Sequence, residues 1–292
     1  MSRTAADPAA VRRAVSAALD EDLGAAGDVT TRATIPPGRR GRATFVAREP
    51  MTVAGLAVAA EVLHRVDPGV TVRTLVEDGD RVGAGTIVLE AVGEARALLE
   101  AERTALNFLQ RMSGIATATR AAVDEVRGTS ATVLDTRKTA PGLRALDKHA
   151  VALGGGVNHR MGLYDAVMIK DTHLGAAGSL REAIRRCLTA GHPPERITAE
   201  VRSPDELDEA IAAGAGRALL DNMSLEALRE CVRRGKGRIV LEASGGLRPG
   251  TLRPVASPET WYGSHAPPAA SANNLYFSVA ATRPGEGVRD VP

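Results

Sequence analysis

Aromatic side chains are scarce, with one Trp, three Tyr and three Phe in 292 residues, which argues against a protein that stacks on exposed bases. Nor is there a charge excess: 37 basic and 35 acidic residues leave a net charge of +2, so no basic face for a nucleic-acid backbone is expected. Cysteine is limited to Cys187 and Cys231, far apart and outside any C-x-x-C pattern, which excludes a disulfide framework or a cysteine zinc site and makes a reducing cytoplasm the expected location. No run approaches the ~20 apolar residues of a membrane span, and Met1–Asp7 carries no signal-peptide core. A soluble, unprocessed chain is the expectation. Lysine is rare as well: Lys138, Lys148, Lys170 and Lys236 stand alone in a chain that otherwise takes its positive charge from Arg. A compact, titratable ammonium is then a choice, which makes Lys138 and Lys170 candidate functional residues. Lys148 and Lys236 are expected on the solvated surface.

What is present suffices for a large core: 44% hydrophobic against 25% charged residues, at a length of about two domains. Val11, Val15, Ala18 and Leu19 recur at helical spacing within 8–23, before Gly24 and Gly27 stop the run. Alternating segments at 42–49, 70–76 and 86–92, with a helical stretch at 57–66, predict a small α+β domain. Its Val76–Gly85 segment is similar to the lysine-bearing hairpins of swinging-arm carrier domains, but no lysine precedes Lys138, so the Gly/Asp cluster is read as turn chemistry. Residues 95–127 predict a long helix broken at Ser113-Gly114.

Beyond it, strands predicted at 131–135, 165–170, 197–201, 217–221 and 238–243 alternate with amphipathic helices, the pattern of a parallel sheet, open or closed into a barrel. Helix starts are marked at Ser179, at Ser203-Pro204-Asp205-Glu206, a capping box with Pro at the first helical position, and at Ser224. The strands end in Asp135-Thr136-Arg137-Lys138, Lys170-Asp171, Glu200, Asp221-Asn222 and Glu242-Ala243-Ser244-Gly245-Gly246. In a parallel barrel those C-terminal ends converge on one mouth. Cations there suggest an anionic substrate, carboxylates a divalent ion or ribose hydroxyls, and Ser244-Gly245-Gly246 a backbone cradle for phosphate. A phosphorylated sugar satisfies all three. Gly154-Gly155-Gly156 reads either as a second such loop or as a flexible turn.

Long ordered motifs carry a resemblance. Glu102-Arg103-Thr104-Ala105-Leu106-Asn107-Phe108-Leu109-Gln110-Arg111-Met112-Ser113-Gly114, Asp135-Thr136-Arg137-Lys138-Thr139-Ala140-Pro141-Gly142-Leu143-Arg144 and Gly154-Gly155-Gly156-Val157-Asn158-His159-Arg160 resemble the quinolinate phosphoribosyltransferase family, the carboxylating nicotinate-nucleotide pyrophosphorylases. The likeness continues through Ile169-Lys170-Asp171, Leu220-Asp221-Asn222 and Leu241–Gly246, over about 16–256. It implies an α/β fold: an N-terminal α+β open sandwich domain (1–112), an incomplete parallel α/β barrel (113–270), and a tail (271–292) that returns to the N-terminal domain and is then flexible. It also implies a homodimer, or a higher oligomer, whose shared active sites each borrow Arg103 across the interface.

The implied reaction transfers phosphoribosyl from phosphoribosyl pyrophosphate to quinolinate with loss of CO2, giving nicotinate mononucleotide and pyrophosphate in NAD biosynthesis. Mg2+ accompanies the pyrophosphate and no organic cofactor is needed. The substrate-binding set is Arg103, Arg137, Lys138, His159, Arg160, Lys170 and Ser244-Gly245-Gly246; the catalytic set is Lys138, Lys170, Glu200 and Asp221, with Glu200 and Asp221 also as metal ligands. Guanidinium forks suit a dicarboxylate, and carboxylates suit the cationic ribose of the transition state.

An ordinary structural role also fits each residue singly: Arg103 pairing with Glu100 or Glu102, Asp221 capping a helix, Lys170-Asp171 as a surface pair, Glu242 in a barrel-interior ion pair, Asn158 in a turn. His64, His149, His192 and His265 fall outside the constellation. Three departures from the family pattern stand out. Arg202 replaces a Glu and, sharing a strand face with Glu200, either neutralises it or binds an anion. Thr172 stands where Asn is usual, and 257–280 lacks the expected final strand, phosphate loop and Thr-His-Ser. Two further readings therefore stay open, a phosphoribosyltransferase for another aromatic acid and a non-catalytic quinolinate-binding relative.

Overall fold

The computed structural model describes residues 6–248 and 250–257, and the backbone of 269–270 and 278–280. Two compact units emerge, one built on the chain up to Arg120 together with Ala140–Gly155, the other on Ala121–Thr139 and the chain from Gly156 onward.

In the first unit α1 (Pro8–Leu23) begins at Asp7, whose carboxylate accepts the N–H groups of Ala9 and Ala10 while Pro8 occupies the first turn. It is followed by α2 (Val29–Thr34), β1 (Arg40–Val46), β2 (Met51–Thr52), α3 (Leu56–Val66), β3 (Thr71–Thr74), β4 (Arg81–Val82), β5 (Ile87–Glu94), α4 (Ala95–Glu125) and α5 (Arg144–Leu153). Strands β1, β5 and β3 make an antiparallel sheet with β5 central, and β2 pairs with β4 in a separate ribbon. Phe45, Leu89 and Ala91 bury the sheet's apolar face with Val15, Val62, Leu63 and Leu109. The Val76–Gly85 segment is turn chemistry, as expected: Gly79 has φ 89°, and Asp80 accepts the Glu77 N–H.

Two sequence expectations fail in this unit. The long helix is not broken at Ser113-Gly114, because the Ser113 hydroxyl is buried and bonds both the N–H (3.0 Å) and the carbonyl (3.2 Å) of Ala54, so its polarity is spent on a neighbouring loop while the helix continues. Lys148 is not on the surface. Helix α5 buries Leu146, Asp147, Lys148, Ala150, Val151 and Leu153, more of its circumference than an amphipathic stripe, and Lys148 is 1% exposed. The Gly154-Gly155-Gly156 run begins as a packing device: a Cβ on Gly154 would lie 2.6 Å from the Ala116 carbonyl and from Thr119 Cβ, and Gly155 sits at φ 90° against the Arg120 guanidinium.

The second unit contains β6 (Thr132–Leu134), β7 (Val167–Ile169), α6 (Asp171–Ala177), α7 (Leu180–Thr189), β8 (Ile197–Val201), α8 (Pro204–Ala213), β9 (Arg217–Asp221), α9 (Leu225–Gly235), β10 (Val240–Ser244) and α10 (Leu252–Ala256), with β11 (Ala269–Ala270) and β12 (Ser278–Ala280). The sheet order is β11-β6-β12-β10-β9-β8-β7. β7 to β10 are mutually parallel, while β12 lies antiparallel between β10 and β6. This is the incomplete α/β barrel the sequence implies. Ser278–Ala280, within the tail expected to return to the N-terminal domain, thus occupies a place in the second sheet. Trp261, Tyr262, His265 and 281–292 lie outside the described residues.

Helices α7, α8 and α9 start where read, with Ser179, Ser203 and Ser224 hydroxyls accepting the N–H three residues on. Strand periodicity then places the site. Ile169, Ile197, Ala199, Val201, Ala218, Leu220, Leu241 and Ala243 all belong to the helix-covered core. With a side-chain period of two and Glu200 paired to Leu219 and Leu219 to Glu242, the other face of the strands carries Glu200, Leu219, Asp221, Glu242 and Ser244. Cys187 and Cys231 are free thiols.

Candidate active site

The C-terminal ends of β6 to β9 deliver four charged residues to one neighbourhood. Lys170 follows β7, Glu200 and Asp221 lie on β8 and β9, and Lys138 stands on the turn after β6, where its N–H reaches the Thr136 hydroxyl. Lys170 pairs through its ammonium with Glu200, which is almost fully buried. Burial pulls the Lys138 ammonium below the ordinary lysine value and Lys170 pushes it the same way, against the opposing attraction of Asp221 and Glu200. Four side chains from four strand ends therefore share one field.

Arg202 lies between two carboxylates. Its guanidinium bonds Asp171 at 2.7 Å and pairs at 3.9 Å with Glu200, whose hydrogen-bonded partner is Lys170. The hydrogen bond from Arg202 holds Asp171 below the usual carboxylate range. Lys170 and Asp171 keep much of their side chains in solvent, and each is engaged with β8 or the residue after it.

A second group forms on the loop after Val157. Asp135, fully buried, accepts the His159 N–H at 2.7 Å; the Arg160 guanidinium donates to the Ala166 carbonyl at 2.9 Å; His159 Nε2 stands 3.2 Å from Glu242. Burial, then the charge of Arg137, pushes the Arg160 guanidinium below its ordinary value, so Arg137 and Arg160 are close enough to repel. The Arg137 Nε is buried with no hydrogen-bond partner among the described residues. A pair of guanidinium groups, one with an unused donor, has the chemistry to accept a carboxylate.

Ser244-Gly245-Gly246 leaves β10 with both glycines at positive φ, 97° and 65°. A Cβ on Gly245 would lie 2.2 Å from the Asn222 amide oxygen, and Asn222, itself at φ 53°, donates its N–H to the Ser244 carbonyl and its side-chain amide to Asp221. The cap of α9 is Ser224, so Asp221 is not spent there. Arg103 projects from α4 in the first unit, exposed and with no hydrogen bond or ion pair among the described residues; Glu100, offered as its partner, instead lies near Arg32. Sequence reading passed over Asp135 as an anchor and Asp165, whose carboxylate takes the N–H groups of Met161 and Gly162. Both are acids flanking a glycine-containing or cationic loop, a signal too common to single out without coordinates.

Glu200 and Asp221, hard oxygen donors on one strand face, are a donor set of the kind Mg2+ takes while keeping water and substrate oxygens in the rest of its shell; no group of three or more His, Cys, Asp or Glu side chains that could hold a metal exists among the described residues.

Two family models cover nearly the whole of this architecture: the quinolinate phosphoribosyl transferase N-terminal domain matches residues 28–113, and the C-terminal domain of the same family matches 115–280. The chain belongs to the quinolinate phosphoribosyltransferase family. It is 46% identical over 243 residues to the carboxylating nicotinate-nucleotide pyrophosphorylase of Mycobacterium leprae, spanning 82% of this chain and 85% of that one. To the decarboxylating quinolinate phosphoribosyltransferase 1b of Nicotiana tabacum it is 41% identical over 266 residues, covering 85% and 75%. Its fold superimposes on the nicotinate-nucleotide pyrophosphorylase structure from Francisella tularensis with a TM-score of 0.84 and 33% identity, over 96% of this chain and 99% of that one. The phosphoribosyltransferase match runs to residue 280, across the segment 257–280 in which the sequence departs from the family pattern. Among the described residues of this phosphoribosyltransferase, no helix is long and apolar enough to cross a membrane.

Proposed function

We infer that this chain transfers the phosphoribosyl group of phosphoribosyl pyrophosphate to the ring nitrogen of quinolinate and releases the 2-carboxylate as CO2, forming nicotinate mononucleotide and pyrophosphate in NAD biosynthesis. The observation that carries the reading is the pair of ligand fields that meet in the chain at Arg137-Lys138, the Arg137–Arg160 pair for a dicarboxylic acid and the Lys138, Lys170, Glu200 and Asp221 set for a sugar pyrophosphate. Arg137, Arg160 and, from a partner subunit, Arg103 hold the two carboxylates of the acid, with His159 lining the same pocket. Lys138 and Lys170 bind the pyrophosphate, and Ser244-Gly245-Gly246 the 5′-phosphate.

Breaking the C1–oxygen bond sends its electron pair to pyrophosphate and leaves a cationic ribose, which Glu200 and Asp221 stabilise while holding its hydroxyls. Their carboxylates would also hold Mg2+, which supplies neutralising charge to the pyrophosphate. The pyridine nitrogen forms the new bond to C1. The resulting pyridinium accepts the electron pair of the departing CO2 at C2, which then takes a proton, so no organic cofactor is required. Incubation of the protein with quinolinate, phosphoribosyl pyrophosphate and Mg2+, followed by mass spectrometry, should yield nicotinate mononucleotide and pyrophosphate together. Absence of both, with quinolinate bound in calorimetry, would refute turnover; absence of binding would refute the acid.

Arg137→Ala is expected to weaken quinolinate binding by about 1.5–3 kcal/mol, the worth of a hydrogen bond to a charged group, while the KM for phosphoribosyl pyrophosphate holds. Calorimetry with each ligand checks both halves. Asp221→Asn should lower turnover by a factor on the order of 10² or more, as loss of a group aimed at developing charge does, and leave quinolinate affinity nearly intact. Equal losses in both would remove Asp221 from the sugar side.

The proposed assembly is a cytoplasmic homodimer with shared sites. Its support is the exposed, unspent Arg103 together with Leu163 and Tyr164, 73% and 86% exposed on the loop after Arg160, apolar surface that a second copy would cover. Mixing inactive Arg103→Ala subunits with inactive Lys138→Met subunits should regenerate activity, since one site of each mixed dimer is intact. No recovery after verified subunit exchange would contradict sharing.

A further inference from the structure

The sugar side of the site holds more positive charge than Lys138 and Lys170 supply. Arg202 stands one residue beyond β8, its guanidinium 2.7 Å from Asp171 and 3.9 Å from Glu200. The hydrogen bond to Asp171 holds that guanidinium above its ordinary pKa, and the charges of Asp171, Glu200 and Asp221 act in the same direction. Arg202 therefore shares the field of the two carboxylates assigned to the ribose. Without it, Lys138 and Lys170 face Asp171, Glu200 and Asp221 with a net charge of 2 − 3 = −1; with it the set is neutral, 3 − 3 = 0. A substrate bearing a pyrophosphate would be repelled by the first arrangement and not by the second.

The guanidinium is also poorly explained as a structural group. Its side chain is 55% exposed and that of Asp171 is 53% exposed, and an ion pair so open to water stabilises a fold very little. Neither carboxylate depends on it, since Glu200 is hydrogen-bonded to Lys170 and Asp171 also accepts the Thr172 N–H at 2.7 Å. Its one side-chain hydrogen bond among the described residues is to Asp171, through a single terminal nitrogen, which leaves the other N–H donors of the fork open to an anion. The root of the side chain is fixed, because the Arg202 N–H donates to Glu206 at 2.7 Å and Ser203 caps α8 directly after it. A charged fork is thus held at the mouth of the site with its donors unspent.

We propose that Arg202 binds the pyrophosphate of phosphoribosyl pyrophosphate as a third fixed cation beside Lys138 and Lys170, and so supplies charge that Mg2+ otherwise has to bring. A guanidinium pairs with two phosphoryl oxygens at once, which an ammonium does not. The proposal rests on the reading of Lys138, Lys170, Glu200 and Asp221 as the sugar side.

Calorimetry with inorganic pyrophosphate, once in EDTA and once with saturating Mg2+, tests it on protein that is not turning over. Arg202→Gln should weaken pyrophosphate binding about 10-fold or more in EDTA, the equivalent of one hydrogen bond to a charged group. With Mg2+ the loss should shrink to about 3-fold, as the ion carries part of the same charge. Arg202→Lys, which keeps the charge, should bind in EDTA more tightly than Arg202→Gln and less tightly than the unsubstituted protein. Quinolinate affinity should stay within about 2-fold throughout, as expected for a separate group of contacts. The double variant Arg202→Gln with Asp171→Asn restores the original net charge and leaves no carboxylate unpaired. If Arg202 touches the anion, the double variant stays weak in EDTA. Recovery of binding in it shows that Arg202 only masks Asp171 and overturns the proposal, as does equal EDTA affinity in Arg202→Gln and the unsubstituted protein. If the unsubstituted protein binds pyrophosphate in neither medium, the sugar-side reading itself fails and the proposal falls with it.

Discussion

Lys138→Met is expected to reduce kcat/KM by a factor on the order of 10³, with the loss concentrated in the response to phosphoribosyl pyrophosphate. The ammonium stands partly buried on a turn beside Lys170, Glu200 and Asp221, and a preorganised cation aimed at a leaving pyrophosphate is worth roughly 10²–10³ in rate. Methionine keeps the length and apolar stem, so the fold is retained. Because burial and Lys170 both lower the Lys138 pKa, the sign of the pH dependence follows: the charged form, which holds the anion, dominates below the lowered pKa and is lost as pH rises through it. The KM for phosphoribosyl pyrophosphate should therefore climb on the alkaline side earlier than for an ordinary lysine. Lys138→Arg, whose charge persists, should flatten that climb. A pH profile and KM unchanged in Lys138→Met would take the residue out of the site.

Arg111→Met is expected to destabilise the first unit by about 3 kcal/mol. Its guanidinium makes two hydrogen bonds, 2.8 and 2.7 Å, to Asp147, which is fully buried and also accepts the Ala140 N–H. Removing one partner of a buried pair leaves an uncompensated charge, at a cost of about 3–5 kcal/mol; the lower end applies because a third of the Arg111 side chain reaches solvent. At roughly 2–4 °C per kcal/mol for a unit of this size, the melting temperature should fall by about 6–12 °C. The double change Arg111→Met with Asp147→Leu removes both charges and should recover much of the loss. A melting temperature unmoved by Arg111→Met would show the pair to be worth little.

Both residues lie in motifs visible in the chain, yet only one had a legible role. Lys138 stood out because lysine is rare and because it follows a strand of the right phase. Arg111 sat in the same long motif as Arg103 with nothing to mark it as structural, since its partner Asp147 is 36 residues away on another helix. The same contrast holds for the other lysines. Lys170 ends a strand and is found with Glu200; Lys148, read as surface, is buried because α5 is enclosed on more sides than its own periodicity reveals. Arg202 was legible as an oddity, but whether it served Glu200 or another group depended on where α6 begins and on Asp171 at its first residue.

The sequence by itself determined the element order, the helix starts at Ser179, Ser203 and Ser224, the parallel character of β7 to β10, and the phase that puts Glu200, Asp221 and Ser244 on one face. These are local matters: capping groups act within three residues, and the strand period of two is carried by neighbouring side chains. Tertiary structure decided which charges meet. Lys170 with Glu200, Arg202 with Asp171, Glu242 with His159, Ser113 with Ala54 and Arg111 with Asp147 are pairings between distant elements. Their selection follows from desolvation, because a buried polar group must find whichever partner the packed fold brings within hydrogen-bond reach.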